Sequence, residues 1–483
     1  MIYFGPVLFN LGILLTSLAL SMSVPAAIDL VNDYSDWQVF LDAAGMTLFV
    51  GVIVILVTRK LRQSKLNLHQ AFLLTTLSWL ATASVGALPF VFSDLDMTLA
   101  DSFFESMSGV TTTGATVISD LGRASPGLLM WRALLQWLGG LGIIVIALAV
   151  LPTVRVGGMQ LFAAEAFELA HKALPRASDL AAGLGIMYFI VTFVCALALF
   201  AAGMDMFDAV AHAMSTISTG GYSTKDDSIG YFKVPAIDWI VTFGMIAGSL
   251  PFIHYVGIAR GDIRSILRDR QVQWFLTLVL ISVALIAIWI KHYIDLNSYD
   301  AIRLAAFNVV SIITGTGYLT ADFSNWGGFA ITLILLLMFV GGCSGSTTCG
   351  IKIFRFQILY AIAKVRFARL LQPHGVFIPY YNRKPIPQSV LESVIGFVFL
   401  YILFFGIVAI GLAAMGLDPI TALSGAATTI SNVGPGLGPI IGPAENFDKL
   451  PEAAKWLLCF AMLLGRLEIF TVLLLFTPKF WSK

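Results

Sequence analysis

Apolar residues run through this chain in long blocks rather than in narrow stripes. Ten blocks, at about 5–28, 39–58, 71–92, 128–151, 180–202, 238–258, 272–290, 329–352, 392–415 and 454–476, predict helices. A helix of about 20 apolar residues crosses a hydrocarbon core of about 30 Å. Four further segments, about 98–113, 206–220, 300–316 and 418–433, are semi-apolar and too short to cross. Each lies between two long blocks and runs out into a stretch rich in Gly, Ser and Thr. The pattern predicts an all-α polytopic membrane protein.

Composition agrees with the pattern. Of 483 residues 58% are hydrophobic and only 12% charged, against about 25% charged in a soluble domain. The mean hydropathy is +0.88. The formal net charge of +1 is uninformative, but its distribution is not. One set of loops carries Arg59, Lys60, Arg62 and Lys65; Arg155, Lys172 and Arg176; Arg260, Arg264, Arg268 and Arg270; and Lys352, Arg355, Lys364, Arg366, Arg369, Arg383 and Lys384. The alternate loops carry Asp29, Asp33, Asp36, Asp94, Asp96, Asp120, Asp226, Asp227, Asp295, Asp322, Glu445 and Asp448. Positive loops stay in the cytoplasm. Both termini are therefore expected inside and all four short segments outside. Residues 352–384 hold seven basic residues and no acidic one, which suits an anionic lipid, a cytosolic partner or plain positive-inside bias. Cys195, Cys343, Cys349 and Cys459 lie in or beside apolar blocks and predict neither a disulfide framework nor a metal site. The first block has no basic start and is too long for a secretory leader, so it is read as a retained span.

The exits of the four short segments repeat one another. The first is Val110, Thr111, Thr112, Thr113 and Gly114; the second is Ile217, Ser218, Thr219, Gly220 and Gly221. The third is Ile313, Thr314, Gly315, Thr316 and Gly317; the fourth is Ile430, Ser431, Asn432, Val433 and Gly434. Each has Val or Ile, a hydroxyl or amide-rich centre, and a closing Gly. Three residues before the second position stands Ser108, Ser215, Ser311 or Thr428. Repetition at one place in the architecture is a strong signal. It predicts four units of span, short pore helix, extended loop and span around a central axis. Residues 1–66 form an additional two-span domain, and the repeats are 67–156, 157–271, 272–385 and 386–483.

Irregular backbone at membrane depth is tolerated only where it is buried or lines a water-filled cavity. A ring of backbone carbonyls can replace the hydration shell of a cation. Glycine allows positive φ and close approach. The motifs carry no acidic ring, which disfavours divalent ions and favours K⁺. The short helices aim their negative dipole ends at the cavity. Asp101 and Asp208 are read as N-caps of the first two, with Asp300 and Asp418 fitting that role less well. Glu105, His212 and Asn308 hold equivalent positions in the first three short helices and are expected to brace the loops from behind. "TGTGYL", from Thr314, is no dinucleotide fingerprint: the spacing fails and no βαβ unit surrounds it.

Two further features suggest a gate. Gly341, Gly342, Cys343, Ser344, Gly345, Ser346, Thr347, Thr348, Cys349 and Gly350 interrupt the block at 329–352. Glycine disfavours helix by roughly 1 kcal/mol against Ala, and a break inside the bundle lines a pathway or packs closely. Lys352 and Arg355 follow at once and suit a relay from the cytosolic side. Arg466 lies mid-block, and a charge at that depth marks a functional site or an interior ion pair. Glu468, two residues on, points elsewhere on a helix and is not expected to be its main partner. Arg132 is read as an anchor at the outer interface, and Gly139–Gly142 as close helix packing.

The four loops with a shared glycine resemble the Trk/Ktr/HKT superfamily of potassium transporters. The extra N-terminal pair of spans resembles its bacterial TrkH branch. The resemblance covers essentially the whole chain. It implies a channel-like K⁺ uptake subunit of the bacterial cytoplasmic membrane, homodimeric, without nucleic-acid partners or covalent chemistry. It also implies a cytosolic TrkA-like regulatory ring that carries the nucleotide sites. Gly114, where the family's Na⁺-permeable members have serine, implies K⁺ preference. Only one glycine per loop is shared by all four, so coordination is expected to be less regular than in tetrameric K⁺ channels, with Rb⁺ or some Na⁺ passing. The fourth loop, with Asn432 and Pro435, is the most divergent. The resemblance also implies a mobile loop at 341–350 and a barrier arginine at Arg466. The alternative is a K⁺/H⁺ or K⁺/Na⁺ symporter, for which His212 and Glu468 are the titratable candidates. A membrane enzyme would need a cluster of His, Asp, Glu or Cys at one depth, and the sequence offers none.

Overall fold

The computed structural model describes residues 4–61, 66–149, 177–382 and 384–482. Arg62, Lys65, Arg155, Lys172, Arg176 and Arg383, the end of the block at 128–151, and the expected repeat boundary at 156 lie outside the described residues. Among those described, seven helices are long and apolar enough to cross a membrane: Gly5–Val31, Trp37–Thr58, Leu68–Phe92, Pro126–Ile144, Asp179–Ala201, Arg270–Tyr293 and Gln388–Ala414. The only sheet described is a two-residue hairpin, Tyr380–Tyr381 with Lys384–Pro385.

Two blocks expected to be continuous are broken, and a third, 329–352, is broken where its run of Gly, Ser and Thr predicts. Pro235–Ser249 and Phe252–Ile258 meet at 98°, and Glu452–Arg466 and Phe470–Phe476 at 108°. In the third, helix Gly327–Leu337 ends early and the next begins only at Ile353. Each break has a local cause. Pro251 removes an N–H and holds Leu250 extended. Glu468 and Ile469 take φ of 59° and 47°, values a β-branched residue adopts only under tertiary constraint. The third break holds the Gly, Ser and Thr residues from 341 to 350.

Four short helices stand between the long ones: Leu99–Val110, Met206–Ile217, Ser298–Ile313 and Pro419–Ser431. Their caps correct the sequence reading. Thr98 caps the first, with Asp101 inside the helix as the returning member of a capping box. Asp205 caps the second, so Asp208 does not, and Asn297 caps the third. Asp418, read with Asp300 as fitting the role less well, caps the fourth by accepting from the N–H groups of Ile420 and Thr421 at 3.1 and 3.0 Å. A cap must lie just outside the first turn for its short side chain to reach the second or third amide. Asp101 and Asp208 lie too far in.

The N-terminal spans grip the first repeat through one buried carboxylate. Asp29 accepts from Gly127 N at 2.6 Å and from Ser125 Oγ at 2.9 Å, at the start of helix Pro126–Ala149. Further along that helix the glycines at 139 and 140 allow close packing, as expected. A Cβ on Gly139 would lie 2.0 Å from the Val110 carbonyl oxygen, and one on Gly140 would lie 2.8 Å from Ser218 Cβ.

Candidate functional site

Each short helix ends in the same turn. Thr111, Ser218 and Thr314 are right-handed at the helix end. The third and fifth positions of every pentapeptide then have positive φ: Thr112 and Gly114, Thr219 and Gly221, Gly315 and Gly317, Asn432 and Gly434. Alternating handedness turns successive peptide planes to a common side, unlike a strand. The hydrogen bonds repeat as well. The fourth-position N–H groups of Thr113, Gly220, Thr316 and Val433 donate to the carbonyls of Ser108, Ser215, Ser311 and Thr428 at 2.8, 2.8, 2.9 and 2.9 Å.

The four turns close on one another in a cycle. A Cβ on Gly114 would lie 2.2 Å from the Gly220 carbonyl oxygen, and one on Gly221 would lie 1.7 Å from that of Thr316. One on Gly317 would lie 2.1 Å from the oxygen of Val433, and one on Gly434 would lie 2.8 Å from that of Thr113. Each fifth-position glycine thus abuts the fourth-position carbonyl of the next turn, and the fourth turn returns to the first. Side chains at all four fifth positions are excluded both by the hand of the backbone and by the neighbouring turn.

The bracing residues act as the sequence suggested. Glu105 accepts from Val117 N at 3.0 Å and from Thr116 Oγ1 at 3.1 Å. His212 Nε2 meets Ser223 Oγ at 3.0 Å, and Asn308 Nδ2 donates to Thr320 Oγ1 at 2.9 Å. In each case the short helix holds the strand that leaves its turn. The fourth helix has Gly425 at this place, and Ser424 takes over by accepting from Leu437 N at 2.9 Å. His212 Nδ1 faces the Asp208 carbonyl at 2.8 Å. It donates there, and in the neutral ring Nε2 then accepts from Ser223.

Arg132 is not the expected interface anchor. It is buried, donates through Nε to Glu105 at 2.7 Å and through Nη1 to the Ser223 carbonyl at 2.8 Å, and stacks 4.0 Å above the Tyr222 ring. A buried carboxylate needs such a partner. Sequence reasoning also missed Gln136, whose Nε2 donates to the Gly220 carbonyl at 2.5 Å and whose Oε1 accepts from Tyr222 N at 3.0 Å. Two tyrosines were missed too. Tyr222 Oη donates to the Glu105 carbonyl at 2.7 Å and Tyr318 Oη to the Tyr222 carbonyl at 3.2 Å, tying each turn to its neighbour. Both directly follow the shared glycine, which was the available signal.

Beside the second turn lies the segment that breaks the 329–352 block. It doubles back on itself: Gly341 N donates to the Ile351 carbonyl and Ile351 N to that of Phe339, both at 3.0 Å. It docks on the broken helix Pro235–Ser249 and Phe252–Ile258, with Cys343 N on the Ser249 carbonyl at 3.1 Å and Phe252 N on that of Gly345 at 3.0 Å. Thr347 reaches the turn itself. Its Oγ1 lies 3.1 Å from the Ile217 carbonyl, 2.9 Å from that of Gly248 and 3.1 Å from Thr219 Oγ1. Arg466 is buried and clamps the same segment. Its Nη1 donates to the Thr347 carbonyl at 3.0 Å and to Cys349 Sγ at 2.8 Å, and its Nη2 to the Gly139 carbonyl at 2.8 Å. Glu468 pairs with Arg355, which stacks 3.7 Å from the Phe397 ring. Lys352 is buried close by. Three cations and one carboxylate thus surround the base of this segment.

A family model described as TrkH, cation transport protein, matches residues 38–483. The chain belongs to the TrkH family. It is 42% identical over 480 residues to the Trk system potassium uptake protein TrkI of Halomonas elongata, covering 99% of this chain and 97% of that protein. It is 37% identical over 478 residues to the Trk system potassium uptake protein TrkH of Escherichia coli (strain K12), covering 98% of each. The crystal structure of the potassium transporter TrkH from Vibrio parahaemolyticus has a TM-score of 0.92 to this TrkH-family chain, with 35% identity and all of both chains covered.

Proposed function

We propose that this TrkH-family chain takes up potassium across the bacterial cytoplasmic membrane through a gated, channel-like pore. The observation that carries the reading is the cycle of four glycine-to-carbonyl contacts. It supports a selectivity filter built from backbone oxygens of residues 110–114, 217–221, 313–317 and 430–434, one from each of the four proposed repeats. Dehydrated K⁺ is the ion such oxygens suit. The proposed gate is the segment 341–350 with Arg466, whose charge opposes a cation until the segment moves. Both termini are taken as cytoplasmic. Two copies of the chain and a cytosolic, nucleotide-binding TrkA-like subunit complete the proposed assembly, and no catalytic step is involved.

The hydrogen bonds favour passive conduction over proton coupling. Both His212 nitrogens are held by hydrogen bonds inside the protein, and Glu468 is paired with Arg355. The deciding experiment records reversal potentials across bilayers holding the purified protein while K⁺, Na⁺ and pH gradients are varied in turn. A potential that follows the K⁺ gradient alone supports the pore. One that moves with a pH or Na⁺ gradient at fixed K⁺ would establish the symporter instead.

A further inference from the structure

The basic side of the molecule holds a groove of about 460 Å³ between the start of helix Arg270–Tyr293, helix Ile353–Leu371 and the hairpin residues near Tyr380. Arg270 and Lys364 line it, and among the described residues neither has an acidic partner. The nearest carboxylate in sequence, Asp269, is occupied by His254 Nε2 at 2.8 Å and Gln271 N at 2.7 Å. Trp274 and Tyr360 pack edge to face in the groove wall, their ring centroids 5.6 Å apart. Tyr360 and Tyr380 are largely exposed. Arg270 opens a 24-residue apolar helix, so the groove sits where hydrocarbon gives way to headgroups. Tryptophan and tyrosine favour that level.

A second observation is independent of charge. Gln357, more than nine-tenths buried, also lines the groove. Its Nε2 donates to the Arg270 carbonyl at 3.0 Å, which fixes the orientation of the amide. Its Oε1 then has no donor, and an unmet buried acceptor is costly. A ligand matching both features would carry an anion for Arg270 and Lys364 and a hydroxyl for Gln357.

We propose that this groove binds the headgroup of an anionic glycerophospholipid that bears a free hydroxyl, with its phosphate between Arg270 and Lys364. Basic pockets between membrane helices on the cytoplasmic side hold such headgroups. The lipid bridges helix Ile353–Leu371, which follows the segment 341–350, and helix Arg270–Tyr293, whose Gln271 touches that segment. Gln271, next to Arg270, accepts from Ser344 N at 3.0 Å, so the headgroup steadies that segment from one side. The binding does not depend on which ion the protein carries.

The test is native mass spectrometry of the full-length protein titrated with phosphatidylglycerol, phosphatidic acid or phosphatidylcholine. Phosphatidylglycerol is expected to bind best. Lys364→Gln should weaken it by about 5-fold, and Arg270→Gln with Lys364→Gln by on the order of 25-fold. Gln357→Leu should reduce the preference for phosphatidylglycerol over phosphatidic acid without abolishing binding of either. Equal retention of phosphatidylglycerol by wild type and a folded Lys364→Gln variant would overturn the proposal. Displacement of the lipid by millimolar inorganic phosphate would overturn it too, by making the groove a free-anion site. Lys364 is exposed, so that variant keeps the test decisive even where the double substitution fails to fold.

Discussion

Gly114→Ala adds one methyl group, and the structure specifies what it meets. The φ of Gly114 is +82°, and a left-handed conformation costs an L-residue roughly 1–2 kcal/mol. The new Cβ would also lie 2.2 Å from the Gly220 oxygen, where real contacts keep at least 3.0 Å. The second turn must then retreat by about 0.8 Å. Gln136 already holds that oxygen from another side, so it cannot move without breaking a hydrogen bond. Gly203 separates the two effects. Its φ is +101° and nothing lies within 4 Å of its Cβ position, so Gly203→Ala carries the backbone strain without the collision.

A difference of about 1.4 kcal/mol between two ions is tenfold, and a carbonyl displaced by most of an ångström is expected to cost K⁺ at least that much preference. The assay is uptake of radioactive rubidium into proteoliposomes, with K⁺ and Na⁺ as competitors. Gly203→Ala should lower thermal stability slightly and leave the K⁺ to Na⁺ ratio at the wild-type value. Gly114→Ala should reduce that ratio by roughly tenfold or more, in protein that still folds. A folded Gly114→Ala protein with an unchanged ratio would refute the filter, because the cycle of contacts could not then be the selective element.

Three other substitutions probe different parts of the argument. Arg466→Gln removes the charge and the clamp on Thr347; passive rubidium flux should rise by about tenfold or more, with K⁺ preference kept, since each bond to a charged donor is worth roughly 1.5–3 kcal/mol. Asp29→Ala leaves Gly127 N and Ser125 Oγ unpaired and should lower stability by about 1–3 kcal/mol, read as a fall in unfolding temperature with flux per folded molecule unchanged. Glu105→Gln strands Arg132 in the interior at a cost of about 3–5 kcal/mol. Its yield of monodisperse protein in size-exclusion chromatography should collapse, and should recover in part when Arg132→Met is added.

The sequence revealed most where one feature occurred several times. The four pentapeptides were legible because chance does not repeat a Gly at four equivalent places, and Glu105, His212 and Asn308 were legible because they share one offset from those turns. Features that occur once depended on distant partners. Arg132 read as an interface residue because Glu105, its partner, lies on a different helix. Glu468 and Ile469 look like ordinary helix residues, and the bend there goes with a pair to Arg355, 113 positions away. The caps were misread for a different reason. Aspartates stand at more than one position near three of the four helix starts, and only the course of the incoming chain decides which side chain reaches the first free amides. The break at 341–350 was the one that the sequence announced, through its run of Gly, Ser and Thr, whereas Pro251 stood inside a block read as continuous.

The breaks bear on how the ring of turns and the proposed barrier share one bundle. The helices that leave the second, third and fourth turns are all interrupted, at Leu250–Pro251, within 338–352 and at Leu467–Ile469. The helix leaving the first turn runs unbroken from Pro126 to Ala149. Arg466 links the two kinds. One of its amino groups holds Thr347, on an interrupted helix, and the other holds the Gly139 carbonyl, on the unbroken one. The unbroken helix also carries Gln136, which fixes the Gly220 carbonyl, and it is itself fixed at its N-terminal end by Asp29. It therefore acts as a post to which the turns are tied directly and the barrier is tied through one guanidinium. Releasing Arg466 removes one tie on the segment 341–350 while the bonds from Gln136 and Glu105 stay intact. Thr347 still touches Ile217 and Thr219, so the second turn is the one whose geometry must register the movement of the barrier.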